Sequence, residues 1–326
     1  MSGIKYKTGA PGVVGIAVYD GNMAEEVAEI SSPSAATAKF GAKSLGEKLI
    51  SLIFQNGASC VKAAVTAENT AQGYANAFSL LMKESDTYVI TCDSTDENVI
   101  LALSSAVSSG GENTKYRIAA AEGAGTAAEL KALALKLTNL RTVLTTPVKN
   151  GALGTAAALS GMIAGTADPA LPFGNAELTG VTDELEEYDD DEINALIGAG
   201  VTPVRREGSM AYIVRAVTTR TKNGDVYDAS WRDINTVLIA DNVITQIRDV
   251  LKGMFSRAKN TVRTRGAVRT QVVIELEKKL DAGIIDGYGG VTVTRSEDDP
   301  TVCLVSFEFS PACGMHQIII SAYITI

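Results

Sequence analysis

Between residue 43 and about 165 the chain switches repeatedly between helical and strand-like periodicity with almost no linker, and this constrains the fold more than any other feature. "AKSLGEKLISLIFQ" places Leu45, Leu49, Leu52 and Ile53 at helical spacing before the strand-like "CVKAAVT". "AQGYANAFSLLMK" is helical again, "DTYVITCD" reads as a strand bounded by acids, and "DENVILALSSAVSS" opens on an acidic turn suited to a helix N-terminus. The strand "KYRIAAA", the helix "TAAELKALALKLT", the strand "RTVLTT" and the helix "GALGTAAALSGMIAG" complete the series. Strands separated by helices imply a largely parallel sheet with both faces covered. The expected class is α/β: a core domain with a mixed sheet flanked by helices, followed by an α+β C-terminal assembly domain with extended N- and C-terminal β-arms. The expected boundaries are 1–22 for an N-terminal arm, 23–198 for the core, 199–314 for the second domain and 315–326 for a C-terminal arm.

After residue 165 the texture changes. "DPALPFGNAELTGVTDELEEYDDDE" carries eight acids between Asp183 and Glu192. Such a run is either a solvated loop or an electrostatic contact with a basic neighbour, for which Asp189, Asp190 and Asp191 are the candidates. "AYIVRAVTT" then reads as a strand, and helices are expected over about 231–255 and 262–282. In the first of these, Ile234, Leu238, Ile244, Ile247, Leu251 and Met254 form an apolar stripe that contains Asp241. A carboxylate there must be paired or capped. It is read as a structural buried charge, with Arg215 a possible partner, because no catalytic partner is visible. "KGMFSRAKNTVRTRGAVRTQ" holds Lys252, Arg257, Lys259, Arg263, Arg265 and Arg269 with no acid among them. Either it is a solvated helical hairpin or it meets an acidic partner, whether another protein or the acidic run of another copy.

The two ends are strand-like. "GVVGIAVYD" offers Val13, Val14, Ile16 and Val18, and "MHQIIISAYITI" places Ile318, Ile320, Ala322, Ile324 and Ile326 on one face at period two. Both are expected to be arms that complete a sheet in another subunit.

Composition removes several function classes. A net charge of −9 over 326 residues argues against direct nucleic-acid binding, which needs clustered cations. The lone His316 excludes His-based triads and multi-His metal sites. Cys60, Cys92, Cys303 and Cys313 have no metal or redox spacing and are read as reduced. "MSGIKYKTGAPG" lacks the apolar core of a signal peptide, and no apolar run approaches the ~20 residues of a membrane helix. A soluble chain without membrane insertion is expected. The best enzyme-like signal is Gly123-x-Gly125-x-x-Ala128, placed between a strand and a helix as in dinucleotide sites. The next strand ends without an acid for the ribose, so a structural turn is preferred, with no enzyme activity, cofactor or metal.

"GVTPVRREGSMAYIVRAVTTRTKNGDVYDASWRDINTVLIADNVITQIRDVLKGMF", together with the upstream "NGALGTAAALSGMIAGTADPALPFGNAELTGV", resembles the C-terminal region of contractile phage tail sheath proteins, of the variety found in Mu-like and related tails. The likeness covers roughly residues 147–326. It implies a structural subunit of stacked hexameric rings around an inner tail tube, contracting to drive the tube through a target envelope. The partners it implies are the chain itself, the tube protein, the baseplate and the tail terminator. Assembly in the bacterial host cytoplasm would precede a place in a virion or phage-tail-like particle. On this reading Lys252, Arg257, Lys259 and Arg263 face the tube or a neighbouring subunit. The alternatives are another self-assembling shell or tube protein, and a dinucleotide-binding oxidoreductase using Gly123 and Gly125.

Overall fold

The computed structural model describes residues 12–110, 116–224 and 226–315. They form two compact bodies, the larger from 12–167 and 172–234, the smaller from 168–171 and 235–315. The expected boundary at 198/199 therefore moves to 234/235. The reason is that residues 199–234 pair with, or pack on, the end of the large sheet.

The larger body runs β1 (Val13–Tyr19), β2 (Val27–Ile30), α1 (Pro33–Phe40), α2 (Leu45–Gln55), β3 (Cys60–Thr66), α3 (Ala71–Lys83), β4 (Val89–Cys92), α4 (Glu97–Gly110), β5 (Ile118–Glu122), α5 (Ala127–Leu137), β6 (Thr142–Thr145) and α6 (Thr155–Gly165). It continues with α7 (Asp190–Ala199), β7 (Val201–Thr202), the hairpin β8 (Val204–Glu207) and β9 (Met210–Ile213), and the short pair β10 (Lys222–Asn223) and β11 (Val226–Tyr227). The main sheet has the order β2-β3-β1-β4-β5-β6-β7, with β2 antiparallel and the rest parallel. This is the mixed, helix-flanked sheet expected from the alternation.

The N-terminal arm reading is corrected here. β1 lies inside the sheet, with Val14 opposite Val61 of β3 on one side and Val89 of β4 on the other. Val13, Val14, Ile16 and Val18 are all at most 6% exposed. A strand with both edges paired and both faces covered has nothing left to exchange with another subunit. The stretch His316–Ile326, which carries the expected C-terminal arm, lies outside the described residues.

Small residues let the layers close. α6 is apolar all round and almost wholly buried, as a helix sandwiched in a core must be. A Cβ on Gly161 would stand 2.2 Å from the Ile53 carbonyl oxygen, and one on Gly165 would stand 2.6 Å from that of Gly57. Only glycine allows α6 to approach α2 and the turn after it so closely.

"VRAVTT" does not extend β9. Its backbone bonds are scattered over several partners: Thr202 Oγ1 accepts from the Val217 N–H and donates to the Val217 carbonyl, while the Thr218 N–H donates to the Arg232 carbonyl and the Thr219 N–H to the Thr142 carbonyl of β6. Ala216–Thr219 are buried, and an isolated bridge from Val217 to Asp233 adds to these bonds without making a ladder.

The smaller body packs α8 (Ile234–Phe255) and α9 (Val262–Asp281) against the antiparallel pair β12 (Ile285–Arg295) and β13 (Cys303–Pro311). Ile239, Val243, Ile247, Val268, Val272, Leu276 and Ile285 form its core. Met254, expected in the apolar stripe, is instead 54% exposed near the end of α8, while its neighbours Leu251 and Phe255 pack on the core. No described helix is long and apolar enough to cross a membrane.

Candidate functional site

Beyond the carboxyl ends of β4, β5 and β6 the larger body carries a cavity of about 410 Å³, lined by Thr95, the 122–127 and 147–152 turns, and the segment Glu186–Tyr188 with Glu192. Open α/β sheets bind ligands at this edge, most often where the strand order reverses. In this sheet the reversal lies between β1 and β4, and it is bridged internally. Asp93 Oδ2 accepts from the Tyr19 N–H at 3.0 Å and Oδ1 from the Tyr74 hydroxyl at 2.5 Å. Burial pushes the Asp93 carboxyl up to about 6, against the pull of these donors.

The glycine signal has a packing explanation. A Cβ on Gly123 would fall 2.3 Å from Leu130 Cδ2, and one on Gly125 would fall 2.3 Å from Glu129 Oε2. Thr126 and Glu129 form a reciprocal capping box, so the N-terminus of α5 is already closed by a carboxylate. The N-terminus of α6 is closed by Glu122, 3% exposed, whose carboxylate accepts from the N–H groups of Val148, Gly154, Thr155 and Ala156 at 2.8–3.4 Å. Burial raises the Glu122 carboxyl while these backbone donors lower it. The donors a pyrophosphate would need are thus used by the chain's own acids, and the surrounding Glu186, Glu187 and Glu192 would repel phosphate.

The acidic run is part loop and part helix. Asp189 caps α7, accepting from the Glu192 N–H at 2.7 Å, and Asp190 and Asp191 form its exposed first turn, where a helix favours negative charge. Asp189 is therefore committed locally. In the smaller body Asp241 is 5% exposed. Arg215, suggested as its partner, instead makes a two-pronged contact with Asp233, with Nε and Nη2 each 2.9 Å from a carboxylate oxygen.

The basic segment forms the turn between α8 and α9. Lys252, Arg257, Lys259 and Arg263 are exposed and make no ion pair among the described residues. Arg265 bonds to Asn260 Oδ1, and Arg269 Nε donates to the Val291 carbonyl. Beside the four cations stand Met254 and Val262, 54% and 79% exposed. Asn260 ties the β12–β13 loop to this turn through the Pro300 and Val302 carbonyls.

β12 and β13 form a sheet of two strands, so each has one edge without a strand neighbour among the described residues. Along β13, Cys303, Leu304, Ser306, Glu308 and Ser310 are exposed, and the intervening Val305, Phe307 and Phe309 pack on the helices. Two-stranded sheets are marginal by themselves and gain from a further strand. Sequence reading did not find these open edges, although the long alternating run 303–311 was a signal for them.

Two family models match the chain: the phage tail sheath protein central domain over residues 67–219 and the phage tail sheath C-terminal domain over residues 226–325. No protein of curated function matches it in sequence. Among solved structures, the helical sheath of the anti-feeding prophage in its contracted state is similar, with a TM-score of 0.76 and 16% identity over 97% of this chain and 94% of that one. The sheath tail protein of Listeria innocua gives 0.72 and 12% over 93% and 92%. That of Desulfitobacterium hafniense gives 0.69 and 11% over 94% and 98%. With both domains matched in order and the whole fold shared, this chain belongs to the phage tail sheath family.

Proposed function

We propose that the chain is the subunit of a contractile sheath, stacked as hexameric rings around an inner tube and contracting to drive that tube through a target envelope. The observation that carries this reading is the β12–β13 pair, a sheet of two strands whose outer edges have no strand neighbour among the described residues, in a chain whose residues 318–326 have the alternation of a further strand. In this reading residues 315–326 of one copy add to the open sheet of another. At about 3.3 Å per residue the twelve residues reach about 40 Å, enough to leave their own body and pair elsewhere. Heterologous contacts of this kind build rings where the rotation closes and a helical array where it does not. Baseplate and terminator proteins would bound the array, assembly would take place in the host cytoplasm, and neither a cofactor nor catalysis is required.

The test is removal of Gln317–Ile326. The truncated chain should remain folded and soluble, while electron microscopy of the concentrated protein should show hollow cylinders only for the full chain. Cylinders formed equally well by the truncated chain would overturn the strand exchange. An NAD titration with a measurable binding isotherm would favour the oxidoreductase reading.

A further inference from the structure

Two clusters of like charge stand without an ion pair among the described residues, one on each body, and their opposite signs point to a specific contact. On the smaller body, Lys252, Arg257, Lys259 and Arg263 ring the α8–α9 turn without an ion pair among the described residues, beside the exposed Met254 and Val262. The β12–β13 loop held there by Asn260 carries Glu297, Asp298 and Asp299, yet no ion pair joins it to these cations. A tip that combines bare cations with exposed apolar groups has the make-up of an interface.

On the larger body, Glu186, Glu187 and Glu192 line the 410 Å³ cavity at the carboxyl edge of the sheet, and none of them is ion-paired among the described residues. Tyr188, on the same wall, has its hydroxyl shut off from solvent and without a hydrogen-bond partner. Burial and the nearby Glu186 and Glu192 push that phenol up to about 12, so it stays a neutral donor. The acids do not converge on a point: among the described residues no three acidic, His or Cys side chains stand where they could hold a metal ion. Spread carboxylates around a space on the order of a dozen water volumes suit long cationic side chains rather than a bare ion or a phosphate.

We propose that the basic α8–α9 turn of one copy docks into the acidic crevice of another copy, with Glu186 and Glu187 as its principal counter-charges. This rests on the self-assembly set out under the proposed function and adds a second subunit contact, made of charge instead of strand pairing. It replaces Asp189–Asp191 as the acidic partner, since Asp189 caps α7. The competing destination, an inner tube, becomes an outcome of the test.

Two measurements on the full chain decide it. With the exposed Cys303 and Cys313 changed to Ser, a variant carrying Glu187→Cys and Arg257→Cys is assembled into cylinders and oxidised. A covalent ladder on a denaturing gel is expected, absent from either single variant, because only contacts between copies lengthen the chain. Separately, Arg257→Glu with Lys259→Glu should lower the fraction of protein in cylinders by about tenfold or more, and adding Glu186→Lys with Glu187→Lys should restore it. The docking is overturned if cylinders form and give no ladder. It is equally overturned if the acidic reversals have no effect while the basic ones impair only co-assembly with tube protein. If the unmodified chain forms no cylinders, the sheath reading itself fails.

Discussion

The two bodies use their polar groups in opposite directions. In the larger one, several buried charges are committed inward: Glu122 closes α6, Asp93 bridges β1 and α3, and Lys62 sits between Glu84 and Asp86 at 2.5 and 2.7 Å. In the smaller one, Lys252, Arg257, Lys259 and Arg263 stand exposed on a turn, and each strand of its two-stranded sheet has one edge without a strand neighbour among the described residues. A protein that works alone gains nothing from leaving edges and cations unmatched. The contrast puts the committed buried charge in the first body, beside its acidic crevice, and the open strand edges and exposed cations in the second.

The most damaging way to test that contrast is Glu122→Ala. It would strand four buried backbone N–H groups, and a loss of about 3–5 kcal/mol is expected, read as a large drop in melting temperature. A variant that melts with the parent would mean the carboxylate is dispensable and the inward commitment overstated. Next comes Gly161→Val, which forces side-chain atoms against the Ile53 carbonyl and should cost about 1–3 kcal/mol by overpacking in denaturant titrations.

Asp93 sharpens the comparison through pH. Its carboxyl is raised from an ordinary value of 3.8 to about 6, so the folded state holds the proton more tightly than the unfolded chain. That contribution is complete below about pH 4 and disappears as pH rises through 6, a change of at most about 3 kcal/mol. Asp93→Asn can still accept from the Tyr19 N–H and donate to Tyr74, so its melting temperature should lack this part of the pH dependence. An identical pH profile in parent and variant would rule out Asp93 as the titrating group. The smallest effect on folding is expected on the other body: Val262→Ser, at a site 79% exposed, should stay within about 0.5 kcal/mol of the parent. A larger loss would show that the turn supports its own fold rather than a partner.

Much of this was readable in advance, and the misreadings have physical causes. Helix and strand periodicity located the alternating elements because each buries a continuous face. "VVGIAV" was mistaken for an arm on the strength of its strand-like composition, although a run apolar on both faces is the mark of a central parallel strand rather than of one that alternates. "VRAVTT" looked like a strand because β-branched residues favour extended backbone, but its hydrogen bonds go singly to the Thr202 hydroxyl and to the Arg232 and Thr142 carbonyls instead of to one ladder. The acidic crevice was not legible at all. Its walls come from turns after three different strands and from Glu186–Tyr188, and only the sheet order brings them to one edge.

The position of β1 bears on how such a chain is made. Its two sheet neighbours, β3 and β4, follow it by tens of residues and end at Thr66 and Cys92. During synthesis the first strand must therefore wait for both before its place exists. The cations and open edges of α8 through β13 leave the ribosome later still, after all of the large sheet has been translated. Growth from the N-terminus thus puts maturation of the larger body ahead of the appearance of the smaller body's cations and strand edges. That order lets a subunit destined to polymerise finish folding before it can meet another.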